Sequence, residues 1–224
     1  MILLALDSAT PSSVAGVLLP DGRVVEARDD PPPGSRGDHA ARLLPLAAQA
    51  LAEAGVAWED LDRLAVGVGP GGFTGLRIGI ATARALAQAR ELPLVPVGSL
   101  EALAAGADDP PGVIAAVLDA RRGEVYAAAW EGARLVLAPA ALDPADLAAR
   151  RQAAGAAVRA VGDGAVRFRP ELEGAGIEVP PDGASVHRIA AGPLCRLGRE
   201  GEPAARDAVA PDYRREPDAK PPQR

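Results

Sequence analysis

Residues 2–28 read ILLALDSATPSSVAGVLLPDGRVVEAR and contain three short apolar runs separated by turn residues. The first run ends in an acid, Asp7. The second and third are joined by Asp21-Gly22, a dipeptide typical of β-hairpins when it lies between apolar runs. This stretch therefore predicts three consecutive antiparallel strands at the start of the chain.

The same pattern recurs half a chain length later. An apolar run over 113–120 carries Asp119 at its end, and two further apolar runs follow after short turns, over 124–130 and 134–139. Asp7 and Asp119 thus occupy equivalent places in two three-stranded units. Self-similarity at this spacing indicates an ancient duplication, with helices attached to each unit.

The segments between and after the triplets alternate between helical and strand patterns. In the first half the pattern predicts a helix over 39–54 between Asp38 as N-cap and Gly55 as C-cap, a strand over 63–69, a helix over 76–89 with Thr74 as N-cap, a strand over 92–98 and a short helix capped by Ser99. In the second half it predicts a helix near 143–154, a strand over 157–163 and a helix near 184–199.

Two such units in tandem resemble the actin-like ATPase (ASKHA) fold, an α/β fold of two ribonuclease-H-like lobes with mixed sheets. We expect an N-terminal lobe over 1–105 that carries partner-binding helices, a C-terminal lobe over 106–205, and a disordered tail over 206–224, which is rich in proline and charge. In that fold two acids face each other across a cleft that holds a metal-nucleotide. The alternative is that the two acids only cap strand ends.

Composition limits the classes of function. Aromatic residues make up 3% of the chain and the net charge is −6, which disfavours a protein that grips nucleic acid by itself. A single cysteine, Cys195, excludes an internal disulfide. The N-terminus has no basic signal-peptide region and the apolar runs are too short to span a bilayer, so the sequence predicts a cytoplasmic protein.

A glycine-rich turn over 67–87, GVGPGGFTGLRIGIATARALA, runs directly into a helix. Three of its glycines spell the dinucleotide fingerprint G-x-G-x-x-G. However, no acid follows the next strand to hold a ribose, and Pro70 removes an amide donor from the loop. A P-loop is also excluded, because no Gly-Lys-Ser/Thr follows. These absences leave packing as the favoured role of the glycines.

Packing also accounts for glycine inside the helix, where it costs about 1 kcal/mol relative to alanine. Gly75, Gly79 and Ala83 repeat every four residues and form a shallow stripe. This helix and the one over 39–54 each have one narrow polar stripe, and their apolar arc is wider than a single sheet needs. We interpret the surplus as a helix–helix interface with another chain. The alternative is that the other lobe covers it.

Five segments together resemble the TsaB family, the non-catalytic paralogues of TsaD in bacterial threonylcarbamoyladenosine synthesis on tRNA, a superfamily that has carried the label glycoprotease. They are LLALDSAT at the N-terminus, DHAARLLP over 38–45, GVGPGGFTGLRIG over 67–79, ELPLVPVGSLEAL over 91–103 and LDARRGEVYAA over 118–128. The resemblance spans most of residues 1–130 and is loose afterwards, chiefly through PDYRR.

The resemblance implies a scaffold and activator that binds a TsaD-like catalytic paralogue and, with it, a TsaE-like ATPase, or that pairs with itself as a homodimer. It implies no cofactor held by this chain, ATP and a divalent metal on the partner at the complex, and only indirect contact with tRNA. The implied interface residues are His39, Leu43, Leu46, Ala47, Gly71, Phe73, Thr74, Gly75, Leu76, Gly79, Ile80 and Ala83.

A catalytic role is disfavoured by the residues themselves. The catalytic paralogue holds its metal through His-x-x-x-His on a helix, and here the corresponding positions are His39 and Leu43. A vestigial nucleotide site is implied at Asp7, Ser8, Thr10 and Asp119.

Other chemistries stay open as alternatives. One alternative is an independent nucleotide-dependent enzyme or metallopeptidase that uses the carboxylates of Asp7 and Asp119. A dinucleotide-binding oxidoreductase is the more distant alternative. A Cys195–His187 nucleophile pair is poorly spaced for one helix, so we expect a buried, inert thiol.

Overall fold

The computed structural model describes residues 1–32, 34–35, 37–107, 112–154 and 157–215. Its strands are β1 (Leu3–Asp7), β2 (Ser13–Leu18), β3 (Val24–Asp29), β4 (Arg63–Gly69), β5 (Leu94–Gly98), β6 (Val113–Arg121), β7 (Glu124–Glu131), β8 (Arg134–Leu142) and β9 (Val158–Val161). Its α-helices are α1 (His39–Ala54), α2 (Phe73–Arg90), α3 (Ser99–Ala104), α4 (Pro144–Ala154), α5 (Asp163–Arg167), α6 (Arg169–Gly174) and α7 (Ala191–Glu200). Short 3₁₀ helices lie at Trp58–Asp60, Ser185–His187 and Arg206–Ala208.

The first sheet has the strand order β3-β2-β1-β4-β5, with β1 antiparallel to β2 and parallel to β4. Side chains alternate along β1, as they must on a pleated strand. Leu4 and Leu6 belong to the core beneath α1 and α2, whereas Leu3 and Ala5 belong to the core that includes α3 and α7. The sheet is therefore covered by helices on both faces.

The second sheet repeats this topology with one strand fewer, in the order β8-β7-β6-β9. Its central strand β6 is antiparallel to β7 and parallel to β9, as β1 is to β2 and β4. The predicted repeat of the three-stranded unit and the mixed α/β fold are confirmed. The hairpin between β2 and β3 is confirmed, but its turn has three residues, 20–22, because the Leu19 N–H donates to the Arg23 carbonyl at 2.9 Å. Gly22 has φ of 89°, the left-handed conformation with which a three-residue hairpin turn ends.

The helix ends differ from the prediction in three places. The N-cap of α2 is Gly72, so Thr74 lies inside the helix and Ser99 is likewise the first residue of α3. The helix predicted near 184–199 is a 3₁₀ turn followed by α7, which begins at Ala191. The pattern also missed α5 and α6, because helices of 5 and 6 residues are too short to show a period.

The lobes exchange elements. The region 106–205 is predicted as one C-terminal lobe, yet α7 packs on the first sheet, where Leu194 and Cys195 join the core of Leu3. Conversely, α3 contacts β6 and β7 of the second sheet. The reason is physical: the first sheet exposes an apolar face that α1 and α2 do not cover, and α7 buries it.

The stretch predicted to be a disordered tail differs from the structure over its first part. Val209 is 1% exposed, and the backbone N–H of Asp212 donates to the carbonyl of Val68 at 2.7 Å. The buried valine and this hydrogen bond hold residues 206–215 against the first lobe. The rest of the predicted tail, 216–224, lies outside the described residues. In the described ranges, no helix is both long and apolar enough to cross a membrane.

Candidate functional site: the cleft and the helical face

A cavity of about 730 Å³ lies between the two lobes. One wall comes from the β1–β2 loop, His39 and the first turn of α2, and the other from the end of β6 and the β6–β7 turn. The C-terminal residues Tyr213 and Arg215 complete the lining. Cavities of this size accommodate small organic ligands.

Asp7 lies in the core and is not among the residues that line the cavity. Its Oδ1 accepts from the backbone N–H of Ala9 and its Oδ2 from the hydroxyl of Ser99, both at 2.9 Å. Gly67 permits this packing, because a Cβ there would lie 1.8 Å from Oδ2. Burial raises the pKa of Asp7 to about 6, against the lowering effect of the two hydrogen bonds.

Asp119 does line the cavity, but it is already paired. A guanidinium nitrogen of Arg167 donates to its Oδ2 at 2.7 Å, and Arg121 lies 3.4 Å from the same oxygen. Nearby, Asp163 accepts from the backbone N–H of Asp119, and burial raises the pKa of Asp163. The two acids expected to face each other across a cleft are therefore in different surroundings, and only Asp119 reaches the cleft.

Ser8 and Thr10, the other two residues of the predicted nucleotide site, are separated in the same way. The Ser8 hydroxyl donates to the carbonyl of Gly75 at 2.9 Å and is buried, whereas Thr10 lines the cavity. A Cβ at Gly79 would lie 2.4 Å from the Ser8 hydroxyl oxygen. Close packing does account for the glycines of α2: Gly79 lies against the β1–β2 loop, and Gly75 lies against both that loop and His39, the first residue of α1.

His39 begins α1 at the cavity wall and is 8% exposed. Its Nδ1 lies 2.8 Å from the hydroxyl of Ser13, which is fully buried. Burial lowers the pKa of His39, an effect that outweighs the opposing charges of Asp38 and Asp29. Leu43, one turn later, is 1% exposed and lies in the core beneath α1, so the position of a second metal-binding histidine is occupied by a core leucine.

Most of the predicted interface residues lie inside this chain. Buried in its own core or against its own loops are His39, Leu43, Leu46, Ala47, Gly75, Leu76, Gly79, Ile80 and Ala83. Phe73 and Thr74 are exposed and Gly71 is half-buried. The sequence pattern gives the period of the apolar residues but not which stripe the sheet covers, so the predicted interface residues coincide largely with the stripe that faces the sheet.

A second stripe of small and apolar residues on each helix is accessible. On α1 it consists of the exposed residues Ala41, Leu44, Pro45, Ala48 and Ala52, and on α2 of Thr74, Ile78, Ala81, Thr82, Ala85 and Ala89, of which Ile78 and Thr82 are half-buried. Both sets recur at intervals of three and four residues, so each forms a continuous face. Leu44 is 47% exposed. We call these two stripes together the α1–α2 face.

An aromatic cluster at the mouth of the cavity was missed by sequence reasoning. The rings of Phe73 and Tyr213 stack with centroids 5.3 Å apart, and the Arg77 guanidinium lies 3.8 Å from the centre of the Phe73 ring. Arg77 Nε also donates to the Tyr213 hydroxyl at 2.9 Å. The sequence offered one signal: aromatic residues are rare in this chain, so one that lies in a segment expected to be disordered, as Tyr213 does, is a candidate for a specific contact.

Cys195 and His187 do not form a nucleophile pair. His187 Nδ1 accepts from the backbone N–H of Gly162 at 3.1 Å, and its Nε2 lies 3.0 Å from the carbonyl of Pro180. Cys195 is fully buried, and burial raises the pKa of its thiol to about 12. The predicted buried thiol is confirmed.

Comparison with known proteins agrees with this architecture. The family profile described as "TsaD: tRNA N6-adenosine threonylcarbamoyltransferase" matches residues 31–169. The "tRNA threonylcarbamoyladenosine biosynthesis protein TsaB" of Escherichia coli is 39% identical over 133 residues, which cover 58% of this chain and 55% of that protein. The protein of the same name from Bacillus subtilis is 38% identical over 94 residues, 42% of this chain and 41% of that protein. The chain thus spans about half the length of the curated relatives it matches.

Solved structures cover more of the chain. YeaZ from Pseudomonas aeruginosa has a TM-score of 0.77 and 31% identity over 95% of this chain and 99% of that one. The ethanolamine utilization protein EutJ from Carboxydothermus hydrogenoformans, at 16% identity and a TM-score of 0.52 over 87% of this chain and 88% of that one, shares the fold alone. With its duplicated mixed sheets, its glycine-rich α2 turn and these matches, the chain belongs to the TsaB (YeaZ) family.

Proposed function

We propose that this chain is the non-catalytic scaffold and activating subunit of a tRNA-modifying complex. In that complex a TsaD-like catalytic paralogue transfers a threonylcarbamoyl group from its adenylate to N6 of the adenosine beside the anticodon, and a TsaE-like ATPase joins through it. Support comes from relatives named for tRNA threonylcarbamoyladenosine biosynthesis. A relative from Methanopyrus kandleri, 40% identical over 107 residues, is named a tRNA N6-adenosine threonylcarbamoyltransferase.

The observation that carries the proposal is the accessible α1–α2 face. A contiguous exposed surface that is largely apolar is typical of a protein–protein interface when it occurs on a water-soluble fold. Its side chains are small, chiefly alanine, so the backbones of two partner helices can approach closely. α1 and α2 cover the same face of the first sheet, so their outer sides are turned away from that sheet together.

A TsaD-like paralogue is built of the same elements and therefore has a matching pair of helices. This similarity favours the paralogue as the partner that covers the α1–α2 face. In its absence a second copy of this chain presents the same two helices, which gives the homodimer. The net charge of −6 supports indirect contact with tRNA, because a protein that binds tRNA alone needs a basic surface. ATP and the divalent metal are then held by the partner.

The cleft supports a non-catalytic role. Asp7 is enclosed by hydrogen bonds within its own lobe, Asp119 is paired with Arg167, and Leu43 stands one turn after His39. These three positions are thus committed to this chain's own structure or hold a residue that binds no metal.

The test introduces one negative charge into the α1–α2 face. Ala81→Glu on α2 and Leu44→Glu on α1 place a carboxylate on exposed positions of the two stripes, where an apolar partner surface would desolvate it. Gln88→Glu is the matched control, because it adds the same charge to an exposed polar position of α2. Size-exclusion chromatography with light scattering, alone and with the cognate TsaD-like protein, measures complex formation.

We expect the control to form the complex and both stripe variants to lose it while their thermal unfolding is unchanged. Full complex formation by both stripe variants would refute docking through this face. Gly79 and Ala83 are unsuitable for this test, because substitution there disturbs the contact with Ser8 or the core of the chain itself.

A further inference from the structure

The C-terminal segment 206–215 crosses the first lobe before it reaches the cleft. Asp207 pairs with an arginine of α2. Val209 is 1% exposed and belongs to the core beneath α1 and α2. The backbone N–H of Asp212 donates to the carbonyl of Val68, near the end of β4, at 2.7 Å. The segment is therefore anchored on the first lobe over most of its length.

Tyr213 fixes the segment at the mouth of the cavity. Its ring stacks on Phe73 with centroids 5.3 Å apart, and its hydroxyl accepts from Arg77 Nε at 2.9 Å. Phe73 and Arg77 belong to the first two turns of α2. An aromatic pair with a hydrogen bond at its polar end has a defined geometry. The next residues of the chain therefore leave α2 from a fixed point beside the cavity.

Arg215 connects this segment to the second lobe. Its Nη1 donates to the carbonyl of Ala120 at 3.1 Å, and its Nη2 lies 3.3 Å from Oε2 of Glu124. Ala120 lies near the end of β6 and Glu124 begins β7, so both lie beside the β6–β7 turn. Arg214, the preceding residue, instead bonds to Asp212 within the segment. The Arg215 guanidinium thus bridges the two lobes at the cavity.

Glu124 has a carboxylate oxygen that depends on this bridge. Its Oε2 atom is buried and, among the described residues, has no hydrogen-bond partner. The guanidinium of Arg215 is its counter-charge. A buried carboxylate oxygen without compensation destabilises the arrangement that buries it. Loss of the Arg215 charge therefore favours an arrangement in which water reaches the Glu124 carboxylate.

The backbone of the β6–β7 turn also needs support from outside the hairpin. Arg121 and Arg122 have φ of 66° and 55°, in the left-handed region that residues other than Gly, Asn and Asp rarely adopt. Such conformations persist where the surrounding structure holds them. The Ala120 carbonyl, which accepts from Arg215, directly precedes this pair. Arg215 therefore holds the turn at its start.

We propose that residues 206–215 form a latch that keeps the two lobes closed around the cavity, with the Arg215 guanidinium as the group that binds the second lobe. When Arg215 releases Ala120 and Glu124, the lobes separate at the cavity, while the rest of the segment stays bound to the first lobe. The latch thereby controls access to the cavity. It does not depend on docking through the α1–α2 face.

The strength of the latch comes from two interactions that act together. An exposed ion pair by itself contributes little to stability. Here the same guanidinium also donates a charge-assisted hydrogen bond to the Ala120 carbonyl, and it faces a buried oxygen of Glu124. Arg215→Glu removes both interactions and adds repulsion from Glu124. We therefore expect this substitution to lower the ratio of closed to open molecules by about 10- to 100-fold.

The test measures the distance between the lobes with spin labels. Ala40→Cys, beside His39 on the cavity wall, and Ala145→Cys, at the start of α4, replace small exposed residues in the first and the second lobe. Cys195 is buried and stays unlabelled. Double electron–electron resonance of this doubly labelled parent chain gives the distribution of distances between the labels. We expect one narrow peak for the parent, and a second population at longer distance for Arg215→Glu.

Arg134→Glu is the matched control, because Arg134 pairs with a glutamate inside the second lobe and lies outside the cavity lining. Its distance distribution should match that of the parent. The double variant Arg215→Glu with Glu124→Arg re-forms an ion pair of reversed polarity and should reduce the population at longer distance. A parent-like distribution for Arg215→Glu, an equal change in the control, or no recovery in the double variant would overturn the proposal.

Discussion

The buried carboxylate of Asp7 gives a quantitative prediction for Asp7→Asn. Its pKa is raised from 3.8 to about 6, chiefly because burial penalises the charged form. The folded state therefore holds this proton more tightly than the unfolded state. Its contribution to stability is fully present below pH 3.8, is lost as the pH rises to about 6, and stays lost above that. The difference of about 2 pH units corresponds to about 3 kcal/mol at neutral pH.

Asparagine is nearly isosteric and stays neutral, so it avoids this loss. Its amide oxygen can accept from the Ala9 N–H, and its amide nitrogen can donate to the Ser99 hydroxyl oxygen. We expect the stability of Asp7→Asn relative to wild type to rise by about 2–3 kcal/mol between pH 4 and pH 7.5. The difference in stability between variant and wild type isolates Asp7 from carboxylates whose pKa is lowered by folding and whose contribution to stability therefore grows with pH. Asp30 is one of these, because its pKa is lowered to about 2, mainly by the hydrogen bond from Arg28.

The assay is urea unfolding followed by tryptophan fluorescence at several pH values. Asp38→Asn is the control for the change of side chain from aspartate to asparagine, because Asp38 is exposed and makes no side-chain cap hydrogen bond. The reasoning is refuted if the relative stability of Asp7→Asn is the same at both pH values, or if wild type gains on the variant as the pH rises.

Three further predictions follow from packing. Gly79→Ala should lower the free energy of unfolding by about 1–3 kcal/mol, because the new Cβ would lie 2.4 Å from the Ser8 hydroxyl oxygen. In a Ser8→Ala background the same change should cost much less, so equal costs of Gly79→Ala in the two backgrounds would contradict the contact. Cys195, fully buried with its thiol pKa raised to about 12, should react with a thiol reagent only after denaturant is added, and rapid labelling of the native protein at pH 8 would contradict its burial. Tyr213→Ala should remove both the stack on Phe73 and the hydrogen bond from Arg77, and should therefore speed tryptic cleavage at Arg214 and Arg215. Tyr213→Phe keeps the stack and should be cleaved at close to the wild-type rate, so equal cleavage rates for the two variants would argue against the stack.

Local patterns predicted the strands and helices because their signals lie within a few residues of one another. The Asp21-Gly22 hairpin, the span of α1 and the duplication of the three-stranded unit all came from such signals. The α2 cap was wrong because Gly72 and Thr74 are both acceptable cap residues in sequence, and the choice depends on the loop before them, where the Gly72 N–H is bonded to the carbonyl of Ala9.

The candidate site was less predictable, since its residues meet only through tertiary contacts. Tyr213 reaches Phe73, and Arg215 reaches the cleft, because Val209 and Asp212 anchor the C-terminal segment to the first lobe. No local pattern reports that anchoring. The contact between His39 Nδ1 and the Ser13 hydroxyl likewise joins two elements that are distant in the sequence.

The sequence alone determined the duplicated αβ architecture, its family, and the presence of more apolar surface on α1 and α2 than one sheet requires. Only the tertiary structure decided which stripe of each helix is buried, and that Asp7 is enclosed in the core while its counterpart Asp119 reaches the cleft. The reason is that periodicity defines the faces of an element, whereas burial depends on which distant segment covers each face.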